Sequence, residues 1–414
     1  MLNYKIGYAC SPISLQYRTS RSTILKNFTE EKFNECVNEN LKDLKSILDW
    51  NIKNNIYFFR ISSDIIPFGG HEVNNIKWWD TFKYELENIG NFINENDIRV
   101  SMHPGQYTVL NSTKESVVTK SILDLEYHCR FLDALKVDYT NKITLHLGGV
   151  YGDKPTAVKR FISGFNRLSP SLKKRLVLEN DDKSYTIKDV IALCKILKIP
   201  AIFDNLHNKL NPCDLTLDEI LSEVASTWTE NDGAIKMHYS EQDANKKNGS
   251  HSKFVITKNF IEYLGQIHHL KVDIMLEVKD KELSALKCVN ILNLHPSPSI
   301  KYSQWAKYKY SVMEKNYTNY KYCSKIVNSP NTMINIYEAI DQALLLPFSQ
   351  GNFINTAEHV YGYVKKYTTM KEKEIFFNLL EEPLLNKDKI KLVLQRLCKK
   401  YGQNYINESY YFIY

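Results

Sequence analysis

Short runs of β-branched and aromatic residues alternate with longer stretches of helical periodicity over the first 280 residues or so. This alternation is typical of β/α units around a parallel sheet. Eight strand-helix repeats predict a (β/α)8 TIM barrel, whose usual size of about 250 residues fits this span. An open, doubly wound sheet is the alternative fold. The predicted strands are Tyr4–Ala9, Tyr57–Ser62, Arg99–His103, Lys142–Leu147, Arg175–Glu179, Ala201–Asp204, Ala234–Tyr239 and Val272–Glu277.

The pattern changes after about residue 285, where a proline- and serine-rich stretch, His295 to Ser299, is followed only by helical periodicity. Prolines close together interrupt helices and strands, which is typical of a linker. We therefore predict a barrel over residues 1–288, a linker over 289–300 and a mainly α-helical module over 301–414.

Charge is distributed unevenly between these parts. Residues 291–414 carry 16 Lys and Arg against 10 Asp and Glu, and they hold 15 of the 27 tyrosines. The preceding residues are almost neutral, with 38 basic against 37 acidic side chains. A basic, tyrosine-rich module favours a polyanionic partner, because cations neutralise phosphate and aromatic rings stack on bases. The alternative is a solvated lysine face over packed tyrosines.

The composition, 43% hydrophobic and 24% charged, is that of a folded globular protein and argues against disorder. No apolar run approaches the roughly 20 residues of a membrane helix, and the first residues lack a signal-peptide pattern. We therefore expect an intracellular protein, cytoplasmic or associated with DNA in the nucleoid, with no membrane partner. The eight cysteines form no C-x-x-C pair, which indicates reduced thiols. No protein partner can be inferred, and a monomer is expected.

Imidazoles and carboxylates stand at the carboxyl ends of six predicted strands. In a parallel barrel these ends converge on one rim, where such enzymes place their active sites. Nitrogen and oxygen ligands without thiolate suit Zn²⁺, Mn²⁺ and similar cations. One such histidine is usually structural, but burying several carboxylates together without cations costs several kcal/mol. The sequence therefore predicts a divalent metal centre formed by His103, His146, Glu179, Asp204, His207, His238 and Glu277.

Other histidines belong to no such cluster. We predict structural roles for His71, His128, His268, His269, His295 and His359.

Lys236 is a separate problem, because strand alternation places it on the same face as His238, inside the barrel. A buried lysine must lose its charge or be paired. An ion pair with a strand-end carboxylate is one solution.

Several sequence strings, in the same order, resemble those of the UV damage endonucleases. The resemblance covers roughly residues 1–280 and not the C-terminal module. That family is in turn similar to the endonuclease IV type of abasic-site endonucleases, which also use a metal-loaded barrel to nick DNA. The strings are Gly7-Tyr8, Ser101-Met-His-Pro-Gly-Gln-Tyr107, Leu145-His-Leu-Gly-Gly149, Leu178-Glu-Asn-Asp181, Asp204-x-Leu-His207, Lys236-x-His238, His251 and Glu277.

The resemblance implies three divalent metal ions, with Mn²⁺ expected and Zn²⁺, Mg²⁺ or Co²⁺ as alternatives. Glu179 would bridge two of them. His103 and His146 would complete the first ion's ligands, Asp204, His238 and Glu277 the second's, and His207 and His251 would hold the third. The resemblance also implies catalytic roles for Glu179, Lys236 and His238, with Lys236 as a carboxylated lysine.

The implied substrate is double-stranded DNA with UV lesions, cut immediately 5′ of photoproducts or other distorting lesions. Extruding damaged nucleotides costs a few kcal/mol, least where stacking is already disturbed. The resemblance implies that Gln106 and Tyr107 fill the gap and that Tyr8 stacks on the extruded bases.

A sugar isomerase or epimerase of the xylose-isomerase type is the alternative function, because those barrels also carry divalent ions at strand ends. A monosaccharide requires neither the His207/His251 pair nor the Gln106-Tyr107 wedge nor a basic module. These features favour the endonuclease.

Overall fold

The computed structural model describes residues 4–293 and 297–414. His295 and the middle of the predicted linker lie outside the described residues. The chain forms two compact units: Met1–Val255 with Tyr263–Val289, and Ile256–Glu262 with Asn290–Tyr414.

The first unit contains eight parallel strands in the order β3-β2-β1-β8-β7-β6-β5-β4. A bridge between Met102 and Ile143 joins the two outermost strands. In this bridge the Met102 amide donates to Lys142 O over 3.0 Å, and the Thr144 amide donates to Met102 O over 3.0 Å. The sheet therefore closes, which confirms the TIM barrel and excludes the open sheet. The strands are β1 Tyr4–Ala9, β2 Phe58–Arg60, β3 Arg99–Ser101, β4 Ile143–His146, β5 Leu176–Glu179, β6 Ala201–Asp204, β7 Ile235–Tyr239 and β8 Val272–Leu276.

Helices follow the strands, as the β/α pattern predicts. Two of them begin at capping boxes visible in the sequence, Thr186 with Asp189 and Thr216 with Glu219, in which the threonine accepts from the backbone and the acid caps the threonine amide. The helices up to residue 292 are α1 Glu30–Lys53, α2 Trp78–Thr81, α3 Lys83–Glu95, α4 Glu115–Ala134, α5 Lys154–Asn166, α6 Pro170–Arg175, α7 Ile187–Leu197, α8 Asn205–Leu210, α9 Leu217–Ser226, α10 Thr257–Ile267 and α11 Glu282–Leu292.

The C-terminal part is helical. It packs around a core that includes Phe353, Val360 and Leu394, all fully buried. The helices are α12 Pro298–Lys315, α13 Tyr317–Val327, α14 Met333–Leu344, α15 Gln350–Tyr361, α16 Met370–Leu380, α17 Pro383–Lys400 and α18 Asn404–Asn407.

Many tyrosines of this part are structural. Those that are buried are Tyr308, Tyr310, Tyr337, Tyr361, Tyr410, Tyr411 and Tyr414. Packing therefore explains about half of the tyrosine richness, but not the exposed tyrosines. No helix in the described ranges 4–293 and 297–414 is long and apolar enough to cross a membrane.

Candidate metal centre

The strand register brings the polar strand ends together. His146 of β4 pairs with Glu179 of β5, and Asp204 of β6 pairs with His238 of β7. Parallel strands in register end at the same level, so their last side chains share one rim. Polar residues at the last or next-to-last positions of these short strands thus place four ligand-type groups on one rim.

Glu179 lies at the centre of a first group, with His103 and His146. Its Oε2 atom is 3.2 Å from His103 Nε2 and 3.6 Å from His146 Nε2. The three ligand atoms lie within 4.8 Å of one another. Ligands that bind one ion over bonds of about 2.0–2.2 Å are separated by similar distances.

The other oxygen of Glu179 faces a second group, which also contains Asp204, His238 and Glu277. His238 Nδ1 lies 2.9 Å from Glu179 Oε1 and 3.4 Å from Glu277 Oε1. Ligand atoms of all four side chains again lie within 4.8 Å of one another. Glu179 therefore directs one oxygen to each group, which is the geometry that a bridging carboxylate needs.

His207 and His251 lie on the same rim but are less tightly grouped. His207 Nδ1 donates to Asn180 O over 2.9 Å and is 3.5 Å from Glu179 Oε1. His251 Nε2 is 4.0 Å from Glu277 Oε2. Within the described part of the chain neither belongs to a group of three ligand-type atoms. The third metal site stays a prediction.

Buried polar atoms without partners test whether these residues fit metal ions. Asp204 Oδ2 is buried and makes no hydrogen bond, and the same holds for His146 Nδ1 and His238 Nε2, the ring nitrogens that do not face Glu179. Buried polar atoms are nearly always bonded, so the unbonded oxygen of Asp204 in the second group needs a partner. The cluster also buries three carboxylates among histidines, a donor set that suits divalent cations. The residues present therefore fit such ions.

The electrostatics of the centre show the cost of leaving it without cations. Burial raises the pKa of Asp204 to about 7, and the charges of Glu179 and Glu277 add to this effect. Burial lowers the pKa of His103 to about 4. Burial opposes protonation of His207 as well, but the nearby carboxylates outweigh it and raise the His207 pKa to about 9. Cations would take the place of protons here.

Arg60 is a site residue that the sequence analysis missed. It ends β2, is ion-paired with Glu277, and its side chain is only 16% exposed. Although burial raises the pKa of Glu277, Arg60 and His238 hold that pKa below its ordinary value. The position of Arg60 at a strand end is a signal present in the sequence, but arginine is not a metal-ligand type and so does not belong to the pattern of His, Asp and Glu at these ends.

Lys236 is fully buried, and its amine donates to Thr144 Oγ1 over 2.7 Å. No carboxylate oxygen in the described residues lies within 4.0 Å of the amine. Burial, with repulsion from Arg60 and Arg99, holds the Lys236 pKa well below its ordinary value. The ion-pair alternative is therefore absent from this structure, and the geometry favours a neutral amine.

The Gln106-Tyr107 pair forms the tip of a loop beside the centre, and Tyr107 is 84% exposed. One face of α4 anchors the loop behind the tip. The Val109 amide donates to Ser121 Oγ over 2.9 Å, and Thr108 Oγ1 donates to Asp124 Oδ2 over 2.6 Å. The tip of the loop is thus exposed, while hydrogen bonds to α4 hold the residues behind it.

The same helix face supports His103, a candidate metal ligand that begins this loop. The Ser63 hydroxyl lies 2.8 Å from His103 O and 2.9 Å from His128 Nε2. His128 is buried and donates from Nδ1 to Asp124 O over 2.6 Å. We call Ser121, Asp124 and His128 the α4 seam.

A cavity of about 290 Å³ opens between this loop and the loop after β5. Its lining includes Gln106, Asp182 and Ser184, together with the metal-site residues His146 and His207. A larger cavity of about 1010 Å³, lined by residues such as Lys174 and Pro200, lies at the amino ends of β5 and β6. Of these two cavities, the smaller one lies next to the candidate metal centre.

The structure contradicts the stacking role implied for Tyr8. Its side chain is fully buried, its hydroxyl donates to Asn51 Oδ1 of α1 over 2.9 Å, and its ring packs edge-on against Phe59. Alternation along β1 directs Tyr8 towards the helices, because Gly7 and Ala9 occupy the opposite face. Tyr8 belongs to the core.

Comparison with known families divides the chain in two. Residues 4–307 match the family described as UV-endonuclease UvdE, and residues 309–414 match a family described as protein of unknown function (DUF1722).

Individual relatives agree with this division. A UV DNA damage endonuclease of Clostridium perfringens is 48% identical over 96% of both chains. One from Bacillus cereus (strain Q1) is 34% identical over 69% of this chain and 90% of its own length. The crystal structure of SacUVDE has a TM-score of 0.67 and 41% identity, covering 70% of this chain and 98% of that one. Proteins of this kind therefore occur both with and without a counterpart of the C-terminal part.

Proposed function

The chain belongs to the UV-endonuclease UvdE family, and on that premise we propose that it hydrolyses the phosphodiester immediately 5′ of UV photoproducts or other distorting lesions with divalent metal ions. It is a DNA repair endonuclease, and DNA is its substrate. The sugar isomerase alternative is set aside, because the family and the relatives agree on DNA.

The geometry of Glu179 carries the metal-dependent part of the proposal. Its two oxygens face two separate groups of ligand-type atoms, His103 with His146, and His238 with Asp204 and Glu277. His207 and His251 would hold a third ion at the rim. When bound, such ions supply Lewis acidity, which makes water a better nucleophile and stabilises charge on the departing oxygen. Mn²⁺ is the expected metal, with Zn²⁺, Mg²⁺ or Co²⁺ as alternatives.

The protein side chains have separate tasks in this proposal. Glu179 and His238 would hold and orient the metal ions at which the phosphodiester reacts. Both side chains are almost fully buried. Arg60 holds Glu277 in place through their ion pair. Lys236 would act as a carboxylated lysine, which requires an uncharged amine to form. Its burial and lowered pKa favour that state.

Lesion engagement would take place beside the centre. The exposed Gln106-Tyr107 tip would enter the duplex where stacking is weakened. The cavity of about 290 Å³ between Gln106 and the metal-site residues His146 and His207 supports this assignment, because extruded nucleotides need space near the reacting phosphate. The substrate would be double-stranded DNA with UV lesions. The protein would act on it as a monomer inside the cell.

Incision of an end-labelled duplex with one cyclobutane dimer tests the proposal. We expect one cut immediately 5′ of the dimer, which leaves a 3′-hydroxyl, is lost on chelation and returns with Mn²⁺. Glu179→Ala should lose both bound metal and incision. The exposed carboxylate Glu223 on α9 provides a control, since Glu223→Ala should change neither. Full cleavage by metal-depleted protein, or normal metal content in Glu179→Ala, would contradict the proposed centre.

A further inference from the structure

Two stacked pairs of tyrosines stand out in the C-terminal unit. Tyr363 stacks on Tyr405 with ring centroids 6.0 Å apart and planes at 29°, and Tyr367 stacks on Tyr401 at 5.9 Å and 25°. The partners are four residues apart in each segment, so the pairs follow one another along the surface. We call these four residues the tyrosine ladder.

The ladder lies at the edge of the hydrophobic core, because Tyr363 and Tyr401 pack against that core whereas Tyr367 and Tyr405 do not belong to it. Tyr367 is 58% exposed and Tyr405 is 45% exposed, while Tyr363 and Tyr401 are half-buried. The buried tyrosines of the same unit show that packing can enclose these side chains where the fold requires it. Exposed aromatic side chains arranged side by side are typical of a binding surface.

Lysines lie next to the ladder residues in the sequence, and one more distant in sequence, Lys309, lies close to a ladder ring. Lys365, Lys366 and Lys399 are exposed, and in the part of the chain that the structure describes none has a carboxylate oxygen within 4.0 Å. Lys309 Nζ lies 4.9 Å from the centroid of the Tyr405 ring. Lys400 is different, because its amine lies 2.7 Å from Glu372 Oε1.

The positive charge of the lysines and the exposed rings of the tyrosines together indicate what this surface would bind. We propose that the tyrosine ladder and its flanking lysines bind single-stranded DNA, with phosphates on the lysines and bases on the tyrosines. Stacking needs unpaired bases, because paired bases in a duplex present only their edges. The inference rests on the DNA repair function of the chain, and it gives the C-terminal unit a role of its own.

Binding of a fluorescein-labelled oligothymidine to the full chain, followed by anisotropy, tests the ladder. Tyr367→Leu with Tyr405→Leu keeps apolar bulk but removes the aromatic faces. We expect the affinity to fall about tenfold or more. Tyr322 on α13 is 54% exposed and makes no ring stack among the described residues, so Tyr322→Leu is a matched control that should bind normally. An equal loss in the control would overturn the proposal.

A second variant covers the case in which the leucine substitutions lower the melting temperature. Replacing Lys365, Lys366 and Lys399 with Gln removes three surface charges without touching the stacked rings. The slope of log affinity against log salt should become shallower by about 2, since each phosphate contact on single strands contributes about 0.7. An unchanged slope would overturn the proposal and make the ladder a stabilising contact or a site for another partner.

Glu179→Ala separates this inference from the function of the barrel. That variant should lose incision of a dimer-containing duplex and bind the oligothymidine as the unaltered chain does. Failure of the ladder test with normal incision would therefore reject the inference alone.

Discussion

At Glu179 one carboxylate serves two groups of ligand-type side chains. Burial raises its pKa, yet the charges and hydrogen bonds of neighbouring histidines hold it well below the ordinary value. The side chain is therefore an anion in a nearly inaccessible position, ready to accept cations on both sides. Such preorganisation limits the rearrangement that metal binding requires.

The Gln106-Tyr107 tip differs from Glu179 because it has no metal-binding chemistry and is exposed. Gln106→Ala with Tyr107→Ala should keep its metals and melting temperature, because the anchors of the loop lie on either side of the tip. Affinity for a dimer-containing duplex should fall about tenfold, the scale of one lost stacking contact.

Binding titrations together with metal analysis measure this effect. Tyr84 on α3 is 75% exposed, so Tyr84→Ala serves as the control. Metal loss in the double variant, or unchanged affinity for the damaged duplex, would count against the wedge assignment.

The sequence predicted the residues of the centre better than their surroundings. His146 and Glu179 could be found because strand order and register bring the ends of parallel strands together. Arg60 was missed, because its pairing with Glu277 joins residues 217 positions apart. Tyr8 was misassigned, because the face of β1 that meets the helices becomes clear only when α1 is in place.

At the scale of elements, α4 supports both the loop for which we propose lesion engagement and the residue for which we propose metal binding. Ser121, Asp124 and His128 are spaced three and four residues apart, which places them on one helix face. They contact Val109, Thr108 and, through Ser63, the carbonyl of His103. The loop with Gln106 and Tyr107 at its tip and His103, which begins that loop, thus share one support.

Loosening the α4 seam should impair incision without removing metal. Thr108→Val removes the hydrogen bond to Asp124, a bond to a charged group worth about 1.5–3 kcal/mol, so the tip should lose its fixed position. We expect a KM for dimer-containing duplex raised about tenfold, with a smaller change in kcat.

Steady-state incision and metal analysis check this prediction. Thr119→Val on the exposed side of α4, which breaks only a bond to Glu115, should behave normally. If metal content fell together with activity, the seam would act on His103 rather than on the tip.

Strand positions and the closed barrel were predictable, whereas the contact that closes the barrel was not. Tyr4–Ala9 and Ala201–Asp204 match β1 and β6 in full, since alternating patterns and turn residues are local signals. The final link between β3 and β4 depends on a bridge at Met102, which no local pattern encodes. Likewise, the number of tyrosines in the sequence does not show which of them are buried in the core and which, such as Tyr367, are exposed.

At the scale of the whole molecule, the proposed metal centre brings together ligand-type side chains from the ends of six neighbouring strands. Bound ions would therefore stabilise the folded barrel as well as serve catalysis. Binding to the folded state alone adds about 2.7 kcal/mol when the free metal is a hundredfold above Kd. Without ions, the buried Asp204 carboxylate opposes folding, because its pKa is raised in the folded protein.

The effect of the buried Asp204 carboxylate on the stability of the metal-free protein can be tested by varying the pH. Its pKa rises from 3.8 unfolded to about 7 in the folded, metal-free protein. The folded state therefore binds the Asp204 proton more tightly than the unfolded state does. The free energy of unfolding that this proton adds at low pH is lost as the pH rises towards and through about 7. Asp204→Asn should remove that dependence while its Oδ1 atom still accepts from the His207 amide, which caps α8.

Thermal melts with and without Mn²⁺, between about pH 5 and 8, measure the outcome. Metal-free Asp204→Asn should melt above the metal-free unaltered protein near pH 8, yet gain less from Mn²⁺ and fail to incise, since a neutral amide is a weaker ligand. Asp214→Asn is the control, because Lys188 holds the pKa of exposed Asp214 below its ordinary value, outside this range. A metal-free Asp204→Asn protein that melts lower at every pH would show that Asp204 stabilises the barrel by its bonds alone. The cost of burying the Asp204 carboxylate would then not explain why the proposed centre binds cations.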